Sequence, residues 1–178
     1  MKRRMNGFTL IELVIVIIVL GILAATAIPK FINLQDDANR SVLKGQFGAF
    51  ESAVKLYHSG WLAQGNSGAV ESLAGFGDGD VSSTATGYPY STSGASTLPF
   101  TACEELWTGL TQTSLTIAYV ADSDLASANV NIAYTYTYSV NPTICIYRAL
   151  HFIQRGQKAL TMDYNVDTGE IMINDASY

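Results

Sequence analysis

From Leu13 to Ile28 the chain carries no charged residue, and with Phe8 to Ile11 in front the apolar run is interrupted only by Thr9 and Glu12. About 20 apolar residues, rising ~1.5 Å each as a helix, suit one bilayer crossing. Few other features leave a chain so little choice: this stretch is a membrane helix or the core of a helical bundle. Glu12 is the anomaly. An ionised side chain in hydrocarbon costs at least a few kcal/mol, on the order of 2.5 or more, so it has to be paired, neutralised or functional.

The anomaly resolves if the chain is cut between Gly7 and Phe8. The cut removes Lys2, Arg3 and Arg4 and leaves an α-amino group on Phe8, which is cationic or easily made so. In a packed array of such helices the amine of one chain can neutralise Glu12 of the next and fix the axial register between them.

Gly7 followed by Phe8-Thr9-Leu10-Ile11-Glu12, with Pro29 ending the apolar run, resembles the class III signal sequences of type IV pilins and their relatives. The resemblance covers residues 1 to about 38. It implies a leader, 1–7, cleaved after Gly7 by a prepilin peptidase, with N-methylation of Phe8. It also implies assembly through Glu12 into a helical homopolymer, driven by an inner-membrane platform and a cytoplasmic ATPase. Localisation follows: inner membrane as precursor, then an extracellular pilus of a Gram-negative-type bacterium. An ordinary secretory signal would carry a small-residue cleavage site after its apolar core. Here the polar head ends before the core, and only Ala24-Ala25-Thr26-Ala27 offers a faint candidate. An uncleaved signal anchor is the other alternative.

Charge narrows the partners. The formal net charge is −5 and grows more acidic by three when the leader leaves. From Gly60 onward, Arg148, Arg155 and Lys158 face 11 acidic residues. Nucleic-acid binding needs a basic footprint, so none is expected. Cys103 and Cys145 are the two cysteines. In an oxidising space an even pair reads as one disulfide, closing a loop of about 40 residues worth ~3–4 kcal/mol. Two buried free thiols are the alternative.

The domain organisation runs 8–28 as membrane or filament-core helix, 29–59 as its amphipathic continuation, and 60–178 as a globular head. Pro29 lacks an N–H and crowds the carbonyl of Ala25, so it kinks the helix without forbidding it. Gly21 is a second weak point, and the resemblance implies that the segment from Gly21 to Pro29 loses helical order in a pilus. Past Pro29 a period near 3.6 continues in two stripes. One is Phe31, Leu34, Ala38, Val42, Gly45, Ala49, Ala53 and Leu56; the other is Leu43, Phe47, Phe50, Val54, Tyr57 and Trp61. Two stripes suit two clients, the large residues against the chain's own head and the small ones against neighbouring helices; one broad buried face is the alternative. Glu51 and Lys55 form a favourable i,i+4 pair, and Gly60 is the expected stop after Ser59.

Residues 60–100 are glycine-, serine- and threonine-rich, yet Trp61, Phe76, Tyr88 and Tyr90 make the stretch too apolar for a free linker. A short helical turn is expected at Val70 to Ala74. Gly87-Tyr88-Pro89 resembles a feature of mannose-sensitive haemagglutinin pilins. The Ser/Thr-rich stretch from Ser82 to Thr97 is a candidate for O-linked glycan, and Asp78-Gly79-Asp80 is either a cation site or simply a turn. Over 101–178 the pattern predicts a helix at Thr101 to Thr111 with Glu104 and Glu105 near its start. Strands follow at Leu115 to Ala121, Asn131 to Val140, Thr143 to Phe152, Lys158 to Val166 and Glu170 to Asn174. The expected fold class is α+β, a long N-terminal helix packed on an antiparallel sheet of four or five strands, and the resemblance implies that this is the type IV pilin fold.

Asp163, Asn165 and Asp167 share the spacing of a calcium loop's first ligands, but the glycine stands one place late at Gly169. A hairpin turn explains the run more simply. The ladder Tyr134, Tyr136, Tyr138 could suggest electron transport, yet tyrosine is simply a good strand former. His58 and His151 lack a nucleophile-and-acid partner. No enzyme, metal or cofactor is expected. Three functions remain: a major structural pilin of a type IV pilus for adhesion, surface colonisation and motility, a pseudopilin or minor pilin, and a membrane-anchored periplasmic binding domain. The resemblance implies that the cysteine pair leans towards a pilin, since major pseudopilins usually lack one.

Overall fold

The computed structural model describes residues 8–95, 99–125, 127–137, 143–150 and 158–176. The elements are α1 (Leu10–Ala63), α2 (Pro99–Leu110), β1 (Ile117–Tyr119), a 3-10 turn at Asp122–Asp124, β2 (Ile132–Thr137), β3 (Ile144–Ala149), β4 (Ala159–Asn165) and β5 (Ile171–Ala176). The chain divides into two compact units, Met1–Asn39 and Arg40–Tyr178. Expectations placed on Gly7, Tyr138 and His151 lie outside the described residues.

In the first unit α1 stays helical through Pro29. Three residues earlier the Thr26 hydroxyl donates to the Leu23 carbonyl at 3.0 Å, so this polar side chain is satisfied within the apolar run.

In the second unit the two stripes separate by burial. Leu43, Phe47, Phe50, Val54, Tyr57 and Trp61 are buried, whereas Val42 and Leu56 are more than half exposed and Gly45 and Ala49 are exposed with them. The single broad buried face is excluded. Gly60 does not stop the helix. Its missing Cβ makes room for the Phe76 ring, which would otherwise stand 2.6 Å away. The stop is Gly65, at φ +74°. Its N–H donates to Leu62 and that of Asn66 to Trp61, the paired bonds of a Schellman cap.

The sheet runs β1-β2-β3-β4-β5. It is mostly antiparallel, with one departure from the expected pattern: β1 pairs parallel to β2. The connection through residues 120–131 is about a dozen residues, long enough for the crossover that a parallel pair requires. On β2, Ile132 and Tyr134 join the main core, while Ala133 turns to a second cluster with Val120, Leu125 and Leu150, the alternation expected of a strand covered on both faces.

Phe50 is the hub of the core. Its ring centroid lies 5.8 Å from Trp107, 5.5 Å from Tyr147 and 5.6 Å from Tyr164. The tyrosines bury their rings and spend their hydroxyls on carbonyls: Tyr147 donates to Cys103 at 2.7 Å, Tyr164 to Pro89 at 2.8 Å and Tyr57 to Val81 at 2.9 Å. That pairing is what lets such rings be buried at all.

Two local expectations fail. Val70 to Ala74 forms no helix; Val70 and Leu73 instead exchange backbone hydrogen bonds with Ser83 and Val81. α2 starts at Pro99, a favoured first helical residue, so its first turn holds no acid. Glu104 and Glu105 sit one turn in and serve as acceptors. Glu104 takes the Tyr134 hydroxyl at 2.9 Å, and Glu105 takes the backbone N–H groups of Thr92 and Ser93.

Candidate assembly site

Thr9 and Glu12 form a reciprocal capping box at the start of α1. The Thr9 N–H and hydroxyl both donate to Glu12 Oε2, at 2.8 and 2.7 Å, and the Glu12 N–H donates to Thr9 Oγ1 at 3.3 Å. Two backbone donors that a helix start leaves orphaned are thus satisfied. The Thr-x-x-Glu spacing is legible in the sequence, and reading Glu12 purely as an intruder in an apolar run missed it. Both bonds to the carboxylate fall on Oε2. Phe8, four residues before Glu12, is 89% exposed. α1 is long and apolar enough to cross a membrane, and its most apolar window has none of its surface buried within the chain. Gly21 meets nothing that a Cβ would touch, so its smallness answers to no contact inside the chain.

In the second unit the exposed α1 residues Val42, Gly45, Ala49 and Leu56 face away from the core. Arg40 pairs with Asp175 of β5, and Lys55 with Glu51. Cys103 of α2 and Cys145 of β3 are disulfide-bonded, with Cα atoms 5.6 Å apart. The bond fastens α2 to the sheet next to the Tyr147–Cys103 hydrogen bond. The free-thiol alternative is excluded.

Gly87-Tyr88-Pro89 belongs to a small hairpin over residues 82–91, closed by the Ser83–Pro89 bridge. Gly87 stands at φ +83°, and a Cβ there would lie 2.4 Å from the Trp61 indole. His58 is half-buried. It stacks between Tyr88, at 4.1 Å, and Trp61, at 5.8 Å, with Nδ1 3.1 Å from the Gly87 carbonyl oxygen. Thr84 and Thr86 donate to the carbonyls of Val166 and Asp167, so the hairpin also fastens the β4–β5 turn. Ser82, Ser83 and Ser91 are buried, which removes three of the hydroxyls that could accept a glycan. At the β4–β5 turn Asn165 Oδ1 accepts from the N–H groups of Asp167 and Thr168 at 3.0 and 3.1 Å. This is an Asx turn, and it explains the calcium-like spacing.

Residues 2–28 match the family model of the prokaryotic N-terminal methylation motif. The chain is 41% identical over 56 residues to the type II secretion system core protein G of Pseudomonas aeruginosa, covering 32% of this chain and 39% of that protein. It is 50% identical over 53 residues to the type IV narrow pilus major component of Thermus thermophilus, covering 30% and 46%. Against the type IV major pilin of Myxococcus xanthus it is 48% identical over 56 residues, covering 32% and 26%. The chain thus carries a type IV prepilin-like motif, and its relatives include type IV pilins and secretion core proteins G. It spans less than half the length of these relatives. No solved structure matches it.

Proposed function

We propose that the chain is a structural subunit of a type IV pilus. On this reading a prepilin peptidase cuts between Gly7 and Phe8, Phe8 is N-methylated, and the mature chain polymerises through α1. The observation that carries it is Glu12: one carboxylate at the head of a helical run that is otherwise uncharged from Phe8 to Pro29, inside the methylation motif. The amine of Phe8 on a neighbouring chain is the partner that makes the carboxylate tolerable in hydrocarbon. Transfer from lipid to a bundle of like helices exchanges one apolar surrounding for another and is near neutral in hydrophobic terms. An assembly platform and ATPase would drive the transfer from the inner membrane to an extracellular fibre for adhesion and surface colonisation. Attachment of the mannose-sensitive haemagglutinin kind is the finer reading, supported by Gly87-Tyr88-Pro89.

A second reading follows from the similarity to secretion core proteins G: a short fibre that stays within the envelope. Shearing cells and weighing the released fibre protein separates the two. Abundant released protein supports the pilus, and none supports the secretion fibre. Replacing Glu12 by Ala is expected to abolish fibres in either case. Normal fibres from that variant would overturn the assembly role.

A further inference from the structure

Beside α2 lies an open cleft of about 600 Å³, lined by Asp78, Asp80, Thr92, Thr108 and Gln112 among others. Among the described residues neither Asp78 nor Asp80 has a cationic partner. Asp80 Oδ1 only accepts the N–H of Asp78, at 3.2 Å. In residues 40–176 three described cations are paired: Arg40 with Asp175, Lys55 with Glu51, and Arg148 with Asp122. Lys44 is exposed on α1 and has no such pair.

The two unpaired features sit on opposite flanks of the head. Arg40 reaches Asp175, which places its side of α1 at β5. Lys44 follows one turn later on the same side. α2, whose last turn lines the cleft, lies against β1 and β2. The sheet order puts β1 and β5 at opposite edges, about 19 Å apart across four inter-strand spacings. Lys44 therefore has no route to the cleft of its own chain. A head-to-tail repeat brings one flank of a subunit against the opposite flank of the next, which is the arrangement that joins them.

We propose that Lys44 of one subunit enters the Asp78/Asp80 cleft of its neighbour, so that the partner of this surface is a second copy of the chain. The proposal rests on the assembly reading above and adds a contact between heads to the one between helix starts. Lys44 borders the exposed Val42–Gly45–Ala49 stripe, so the docking surface is continuous with the face proposed to meet neighbouring helices. It gives an acidic head, which otherwise repels its copies, a specific attractive contact.

The test is charge reversal in the full-length chain expressed in fibre-forming cells, with sheared fibre as the readout. Protease resistance of the cell-associated subunit, with its disulfide formed, checks folding. Lys44→Glu should lower fibre yield about tenfold or more, since like charges then face each other. Combining Lys44→Glu with Asp78→Lys and Asp80→Lys should restore it. Lys158→Glu, which reverses a second cation that forms no ion pair among the described residues, should leave fibres intact. Unchanged fibres with Lys44→Glu, or no recovery in the combined variant when it is protease-resistant, overturns the proposal. Absence of fibres from the unsubstituted chain would instead count against the assembly reading itself.

Discussion

Glu12 holds the first turn of α1 through Thr9 by its Oε2, and in the proposed fibre the same carboxylate would also meet a neighbouring amine. Replacing Thr9 with Val removes the hydroxyl while keeping the branched shape. The first turn should then fray, with faster amide hydrogen exchange at Glu12, and Thr9→Ser should keep the protection; equal exchange in all three would show that the box is not what holds the turn. Gly87 makes a second residue-scale case. A Cβ there collides with the Trp61 indole at a backbone angle that side chains rarely adopt. Gly87→Ala should cost on the order of 1–3 kcal/mol, read as a lower midpoint in denaturant at unchanged slope. Both residues could be seen in the sequence, and only one could be interpreted there. Thr-x-x-Glu is a local rule, whereas the need for glycine at position 87 comes from Trp61, 26 places away along the chain.

At the scale of elements, the period of α1 foretold which stripe is buried, because 3.6-residue spacing fixes a face wherever the partner lies. The end of α1 was misplaced because Gly60 and Gly65 look alike in the sequence. One yields to the Phe76 ring and the other adopts the left-handed angle of a cap. The parallel β1–β2 pairing had no local signature at all; only tertiary packing chooses the hand of so short a strand. The join of α2 to β3 carries its own prediction. Removing the disulfide with Cys103→Ala and Cys145→Ala should destabilise the head by about 3–4 kcal/mol, measured by denaturant unfolding. A loss under about 1 kcal/mol would mean that the Tyr147 hydrogen bond and the Trp107 packing hold α2 without it.

At the scale of the whole molecule, the core is built from tyrosines whose hydroxyls are tied inward. Burial pushes Tyr57 up to about 12, with the Ser83 hydrogen bond opposing, and holds Tyr147 and Tyr164 well above the usual phenol range. Unfolding returns each phenol to about 10. The folded state therefore keeps its protons where the unfolded state loses them, so the contribution is complete below about pH 10 and falls as pH rises towards 12. Unfolding midpoints should drop through that window, in step with phenolate absorbance. A flat profile would mean the rings are wetter than their burial indicates. The apolar start of α1 and the acidic balance of the later residues are legible in the sequence, because hydropathy and charge are written residue by residue. The cleft beside α2 was invisible there, since Asp78 and Asp80 come together with Thr92, Thr108 and Gln112 only in the folded chain.

The central claim is that the carboxylate of Glu12 is met by an amine exposed on the next chain. Intact mass and N-terminal sequence of the protein recovered from sheared fibres test this directly. The account predicts a chain that begins at Phe8 and carries one methyl group on its terminal nitrogen. Fibre protein that still begins at Met1 would contradict it, since no amine would then stand where Glu12 needs one.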